Sequence, residues 1–455
     1  MSEAAIPVTS VTSLPSQWAR LHPLSPVARG SRAIVALALV GGRTQVYSGG
    51  TDPSRLYVDL AVAVVAVIAG VLSWLVTRWR VEGGELQVET GLLRRQSIRV
   101  PLARVQAVDV VRPLAARLLG ISELRLVLAG RGTGKARLSF LPQERAVEVR
   151  AQLLALAHGL AGDTPEAPER PIAAVPNRRL VMSTLLGVPV TLAAIVVPLL
   201  VVLAVLAPQS VGPTSGALVT SLLGAGAATL RRLNVEFSFF VAESPDGLRL
   251  RSGLLQTRSE TIPFGRVQAV RLLEPLLWRP FGWCRLEVDV AQQREREAGE
   301  TDSRQLTRAL LPVGSRADAE QLLARVLPGA DLTPPAGSAP PRRARAKAPL
   351  SFHLLAAWYN PTYAVTRTGR LRPETVVVPL AKVQSVRWTQ GPVQRRLRLA
   401  TVRVDTAGRR WRAQARDRDA EQANELVSLL VDAARASRAA PRTAPAAHVP
   451  VKISG

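Results

Sequence analysis

The chain has 455 residues, 47% of them hydrophobic and 20% charged, and 59 Lys and Arg against 34 Asp and Glu give it a formal net charge of +25. That length has room for about three domains, its apolar share argues against a wholly soluble protein, and its charge calls for an anionic neighbour, either membrane phospholipid or nucleic acid. A single cysteine, Cys284, excludes an internal disulfide, and aromatic residues at only 4%, not interleaved with the basic ones, argue against nucleic acid.

Residues 1–30 form an N-terminal segment without an early apolar core and cleavage site, so the first hairpin itself is expected to direct insertion. Residues 31–78 contain the short run Ala33 to Val40 and then Leu56 to Val76, whose one charge, Asp59, lies near its start. At ~1.5 Å per residue the second run is long enough to cross a bilayer, with Tyr57 and Trp79 at the two interfaces. The same pattern returns over residues 178–232. Leu180 to Leu206 is uncharged and carries Pro189 and Pro198, which a bundle in lipid tolerates, and Ser215 to Leu230 is rich in Gly, Ala and Ser. Two transmembrane helical hairpins are expected; the alternative for the two weaker runs is a buried or re-entrant segment. Arginines flank both hairpins (Arg20, Arg29, Arg32, Arg78, Arg80, Arg178, Arg179, Arg231 and Arg232), whereas the connections hold only Arg43 and Arg55. This distribution places the N-terminus and everything outside the hairpins on the cytoplasmic side of a cell membrane.

Outside the hairpins one module is written three times. Pro101-Leu-Ala-Arg-Val105-Gln106-Ala-Val108 returns as Pro263-Phe-Gly-Arg-Val267-Gln268-Ala-Val270 and as Pro379-Leu-Ala-Lys-Val383-Gln384-Ser-Val386. Gly91, Gly253 and Gly369 precede the three segments at constant spacing, and the copies align at offsets of 162 and 116 residues. Such a repeat marks a duplicated structural unit. In the third copy Gly391 and Arg398 stand where the second has Pro275 and Gly282, which makes it the most diverged. Leu86, Val88, Ile98 and Val100 alternate around Gly91 as a β-hairpin; Val105 to Val108 and Leu124 to Val127 continue as strands. Each copy then ends in an amphipathic helix, through Val147, Val149, Leu153, Leu154 and Leu156, then Ala319, Leu322, Leu323 and Val326, then Ala423, Leu426, Leu429 and Leu430. Antiparallel strands closed by one C-terminal helix are the element order of a pleckstrin-homology (PH)-like barrel. The expected units are 79–160, 233–330 and 350–437, with a Pro/Arg-rich linker at 331–349 and a tail at 438–455. The charged insertion Gln292 to Arg304 reads as a solvated loop.

The Gly-Leu-Leu hairpin, the Pro-x-x-Arg-Val-Gln-x-Val strand and the Leu-Leu-Gly return, set beside paired apolar helices, resemble the bacterial PH domain of the membrane-flanked, YdbT-like type. The resemblance covers nearly the whole chain. It implies a multi-domain membrane protein with two transmembrane hairpins and three PH-like domains, and implies little about activity, since this fold serves lipid binding, peptide binding and self-assembly alike.

Enzymatic readings find little support. His22, His158, His353 and His448 have no His or Cys neighbour at metal-ligand spacing, and Cys284 falls in a predicted strand as a core residue. Gly130 to Lys135 is one residue short of a phosphate-binding loop and has Ala136 in the magnesium-binding position, so it reads as a turn. No enzyme, cofactor or metal is expected. What remains is basic surface: Arg94 and Arg95, then Arg249, Arg251 and Arg258, then Arg367, Arg370 and Arg372, each set around the first hairpin of a copy, and Arg342, Arg343, Arg345 and Lys347 in the linker. In eukaryotic PH domains basic residues at this hairpin grip phosphoinositide head groups, which implies acidic lipid as a ligand here; the bland reading is a solvated face. The linker cluster either adds about 1 kcal/mol per charge toward an anionic surface or is a solvated spacer. Two functions are expected from this reading: a membrane-anchored scaffold for protein partners or a homo-oligomer, serving envelope homeostasis or stress resistance, and a binder of acidic phospholipid. A transporter component is weaker, because Asp59 is the one intramembrane charge.

Overall fold

A computed structural model describes residues 74–90, 95–128, 136–157, 169–207, 211–245, 247–291, 309–408 and 411–439, with isolated positions from 15 to 72. Ala33 to Val40, Gly91, Arg94, the Gly130 to Lys135 turn, His158, Gln292 to Arg304 and the tail beyond 439 lie outside the described residues. The chain divides into two units, residues 1–264 with 293–307, and 265–292 with 308–455. The division runs through the second copy, whose 233–330 was expected as one domain.

In the first unit β1 (Ala19–Arg20), β2 (Arg78–Glu82), β3 (Glu85–Thr90) and β4 (Gln96–Pro101) form an antiparallel sheet in that order. Gly83 and Gly84 join β2 to β3 with φ of 59° and 75°, the left-handed pair that a two-residue hairpin needs to match strand twist. Leu86 faces Val100 and Val88 faces Ile98 across the expected hairpin. Arg78 and Arg80 both lie 4.6 Å from the Trp18 ring, which fixes the N-terminal lead to β2. After β4 the repeated motif makes a corner. Pro101 supplies an extended φ, Leu102–Arg104 turns as a 3-10 helix, and the Leu102 amide donates to the Gly84 carbonyl at 2.9 Å. The chain thereby leaves the first sheet and starts β5 (Val105–Arg112) in a second, with β6 (Ile121–Leu128) and β7 (Ala136–Pro142). Helix α1 (Leu114–Leu118) bridges β5 and β6, and α2 (Gln143–Ala157) closes the unit. Trp79, Leu86 and Val100 from one sheet, Leu102 from the corner, Val108, Leu124 and Leu126 from the other sheet, and Ala146, Val149 and Leu153 from α2 share one core. Val147, expected on the buried helix face, is 45% exposed.

Beyond α2, β8 (Arg170–Ala174) leads into α3 (Asn177–Leu185), α4 (Val188–Leu206) and α5 (Val211–Glu236). Among the described residues one helical run, Asn177–Leu206, is long and apolar enough to cross a membrane. The run Ser215 to Leu230 lies within α5, which packs along α4. The described positions from Tyr57 to Val76 are helical and mostly exposed.

The second copy begins in this unit with β9 (Phe240–Ser244), β10 (Gly247–Ser252) and β11 (Thr257–Ile262). These strands continue the sheet of the first copy, giving the order β7-β6-β5-β11-β10-β9-β8. The second unit repeats the arrangement. Here β12 (Val267–Leu273), β13 (Trp283–Val290) and β14 (Ala309–Ser315) of copy two join β15 (Ala356–Tyr359), β16 (Tyr363–Thr368) and β17 (Glu374–Pro379) of copy three through a β12-β17 contact. Helix α6 (Arg316–Val326) opens on a Ser315 and Asp318 capping box and buries Ala319, Leu322, Leu323 and Val326, the predicted face. Copy three ends with β18 (Val383–Thr389), α7 (Pro392–Arg396), β19 (Leu399–Thr406), β20 (Ala413–Asp419) and α8 (Ala420–Ala439). Its core joins Val376, Val378 and Leu380 to Val402, Val404, Ala423 and Leu430. Leu429, expected on the buried face of α8, is 49% exposed.

The other residues of the motif have structural work. Strand register slips between Val105 and Ala107, between Val267 and Ala269 and between Val383 and Ser385, so Gln106, Gln268 and Gln384 are each the extra residue of a β-bulge. Gly253 and Gly369 have φ of 123° and 96°, and a Cβ on either would run into a carbonyl of its own turn.

Candidate interaction site

Among the described basic residues of the first hairpins one, Arg249, is buried, Arg258 and Arg367 are half-buried, and the rest are exposed. Arg249, expected at the surface, is 1% exposed, because β10 is covered on that face and Glu169 reaches it at 2.7 Å. The same carboxylate takes Arg251 at 2.6 Å. Burial opposes ionisation of Glu169, but the hydrogen bond from Arg249 and the charges of Arg251 and Arg249 outweigh it and hold the carboxyl below its ordinary range. Arg367 lies 3.7 Å from Glu274. Segment 331–349 packs on copy three. Ala344 is fully buried, Arg343 pairs with Asp419, and Lys347 reaches the buried Asp417 at 2.6 Å. Arg251, Arg343 and Lys347 are exposed although ion-paired, and Arg95, Arg342, Arg345, Arg370 and Arg372 are exposed as well. Among the described residues no three His, Cys, Asp or Glu side chains converge as a metal site.

The recurrent contact in this molecule is instead strand on strand. In the first unit Val110 lies opposite Ser259, Val111 opposite Arg258 and Arg112 opposite Thr257. In the second, Val270 lies opposite Val377, Arg271 opposite Val376, Leu272 opposite Thr375 and Leu273 opposite Glu374. At the offsets of 162 and 116 these are the same pairs. The Glu274 amide donates to the Pro373 carbonyl at 3.0 Å, where the first joint sets Arg112 opposite Thr257. One joint is therefore built twice in one register, between the fourth strand of one copy (β5, β12) and the third of the next (β11, β17).

The two joints differ in charge, position by position. Across the first run Arg258, Asp109, Arg125 and Glu123; across the second run Glu374, Arg271, Glu287 and Arg285. Arg271 bonds Glu374 at 3.2 Å and Glu287 at 2.6 Å, Arg285 bonds Glu287 at 2.7 Å, and Arg125 bonds Glu123 at 3.1 Å. Burial would raise Glu287, but Arg285 and Arg271 hold it down to about 2. In the first joint the sign of the effect is reversed. Burial, then Glu260, pushes the Asp109 carboxyl up to about 7 against the pull of Arg258. Exchanging partners would set Asp109 beside Glu374, or Arg271 beside Arg258, so the inversion selects which strands join.

The pattern of charged clusters in the sequence does not reveal this site, since its charged residues run from Asp109 to Glu374. The signal that could have found it was the repeat offset: aligned copies show Asp109 over Arg271 and Glu123 over Arg285. A family model for the bacterial PH domain matches residues 33–157, 180–329 and 356–434. No curated protein and no solved structure matches the chain.

Proposed function

Because the chain belongs to the bacterial PH domain family, we propose that it is a non-enzymatic integral membrane protein whose PH-like domains face the cytoplasm and act as a scaffold for protein partners or for self-assembly. The observation that carries this reading is the pair of strand-on-strand joints: the fold already uses β-strand addition as its mode of contact. The apolar run Asn177–Leu206 and its neighbour α5 supply the anchor, and the first hairpin a second one. Crosslinking in membranes followed by pull-down of the full chain tests the scaffold; recovery of one defined partner or of the chain itself is the expected result, and recovery of neither sinks it.

Binding of acidic phospholipid is the second reading, favoured by the exposure of Arg95, Arg370 and Arg372. It predicts that the full chain in nanodiscs, with these three changed to Ala, loses a preference for added anionic vesicles that high salt also removes. Equal capture of neutral and anionic vesicles by the unaltered chain would exclude it.

A further inference from the structure

Counting β2, β9 and β15 as the first strands of the three copies, each joint consumes one third strand and one fourth strand, and three copies linked by two joints leave one of each over. The unused third strand is β4 and the unused fourth strand is β18. Both are outer strands of their sheets, and neither has a partner on its open side among the described residues. Their exposure agrees. Gln96, Ser97 and Arg99 are exposed, as are Gln384, Ser385, Arg387 and Trp388. Trp388 is 48% exposed, whereas its counterparts in the filled joints, Val110 and Leu272, are 7% and 2% exposed.

We propose that β18 of one chain adds, antiparallel, to β4 of a second copy of this chain, reproducing the internal joint between molecules. The register follows from the two filled joints: Val386 opposite Arg99, Arg387 opposite Ile98, Trp388 opposite Ser97 and Thr389 opposite Gln96. The inference rests on the scaffold reading and deepens it by naming the partner. Chemistry at the selective position permits it. Arg387 takes the place of Asp109 and Arg271, and Gln96 the place of Arg258 and Glu374, so no like charges meet and Arg387 keeps its Asp405 partner at 3.1 Å. Because the two surfaces are different, the contact is head-to-tail, closing into a ring or extending as a line. An open strand edge is otherwise a liability that proteins cover or charge.

The test uses the full chain in membranes, with two differently tagged forms, Ser97→Cys and Trp388→Cys, expressed together and oxidised. The native Cys284 is buried, its thiol pushed up to about 12 chiefly by desolvation, and does not compete. A crosslinked species containing both tags, absent when either form is expressed alone, is the expected result. Gln96→Glu, which imitates Glu374 opposite the native Arg387, should raise the yield about 3-fold, and Gln96→Arg should lower it as much. Arg387→Asp combined with Gln96→Arg imitates the first joint and should restore it. Crosslinks from either single form alone would mean like-with-like pairing and overturn the proposal, as would yields indifferent to residue 96. Capture of a different protein by Trp388→Cys overturns the second copy while leaving the scaffold standing; if the separate pull-down also recovers nothing, both fall.

Discussion

Asp109 shows how one residue sets the pH response of a joint. Its carboxyl, raised to about 7 in the fold, keeps a proton that the unfolded chain gives up near 3.8. The folded form therefore binds more protons between those values, and stability falls as pH rises from about 4 to about 7, then levels off. Asp109→Asn should abolish that slope and stabilise the protein at pH 8 by about 1–4 kcal/mol, measured as thermal unfolding in detergent across pH. An unchanged slope would assign the effect elsewhere. Arg398 offers a second test at the same scale. It sits at φ 51°, where copies one and two place Gly120 and Gly282 at 68° and 62°. Arg398→Gly relieves left-handed strain and keeps the backbone bond from Ala420 to the residue-398 carbonyl. The expected gain is about 0.5–1 kcal/mol, the strain relieved less the added freedom of the unfolded chain; a loss would mean that the side chain packs usefully.

At the scale of elements, the ladder across β17, β12 and β13 depends on one carboxylate shared by two arginines. Glu287→Gln leaves Arg271 and Arg285 buried with weakened partners, and breaking such a pair costs about 3 kcal/mol. The depressed folded value of about 2 means that Glu287 stabilises above its ordinary 4.5 and that this contribution is lost as pH falls toward 2. The variant should therefore unfold earlier at neutral pH and show a flatter acid limb, read by near-ultraviolet circular dichroism. A full acid limb in the variant would place the sensitivity in other carboxylates. The corner formed by Pro101 and Leu102, and again by Pro379 and Leu380, is the element that makes the joints possible. By turning β4 away from β5, and β17 away from β18, it leaves the two strands of each copy open to strands of another.

For the whole molecule, the proposed topology predicts sidedness. An impermeant thiol reagent applied to intact cells should label Ser210→Cys, in the connection between the second pair of helices, and should spare Ser97→Cys until the cells are broken. Labelling of both in intact cells would invert or remove the anchor. Head-to-tail pairing on a membrane would confine a line or ring to the cytoplasmic surface, where a local rise in concentration favours weak edge contacts.

Although the corner at Pro101 and Leu102 reads in the sequence only as a strand, the sequence by itself determined the copy number, the hairpin around Leu86 and Val100 and the buried face of α6. These are local consequences of strand alternation, proline, glycine and helical period, and the offset repeat carried them into all three copies. Val147 and Leu429 escaped because the apolar stripe was wider than the surface available to cover it. Only the tertiary structure decided that Arg249 is buried on Glu169, that segment 331–349 packs on the third copy, and that the sheets run from copy to copy. Those outcomes depend on pairs such as Arg271 and Glu374, more than a hundred residues apart, which no local pattern brings together. Strand alternation states which face of a strand is buried; which edge it meets is fixed by the register and charge of a partner elsewhere in the chain.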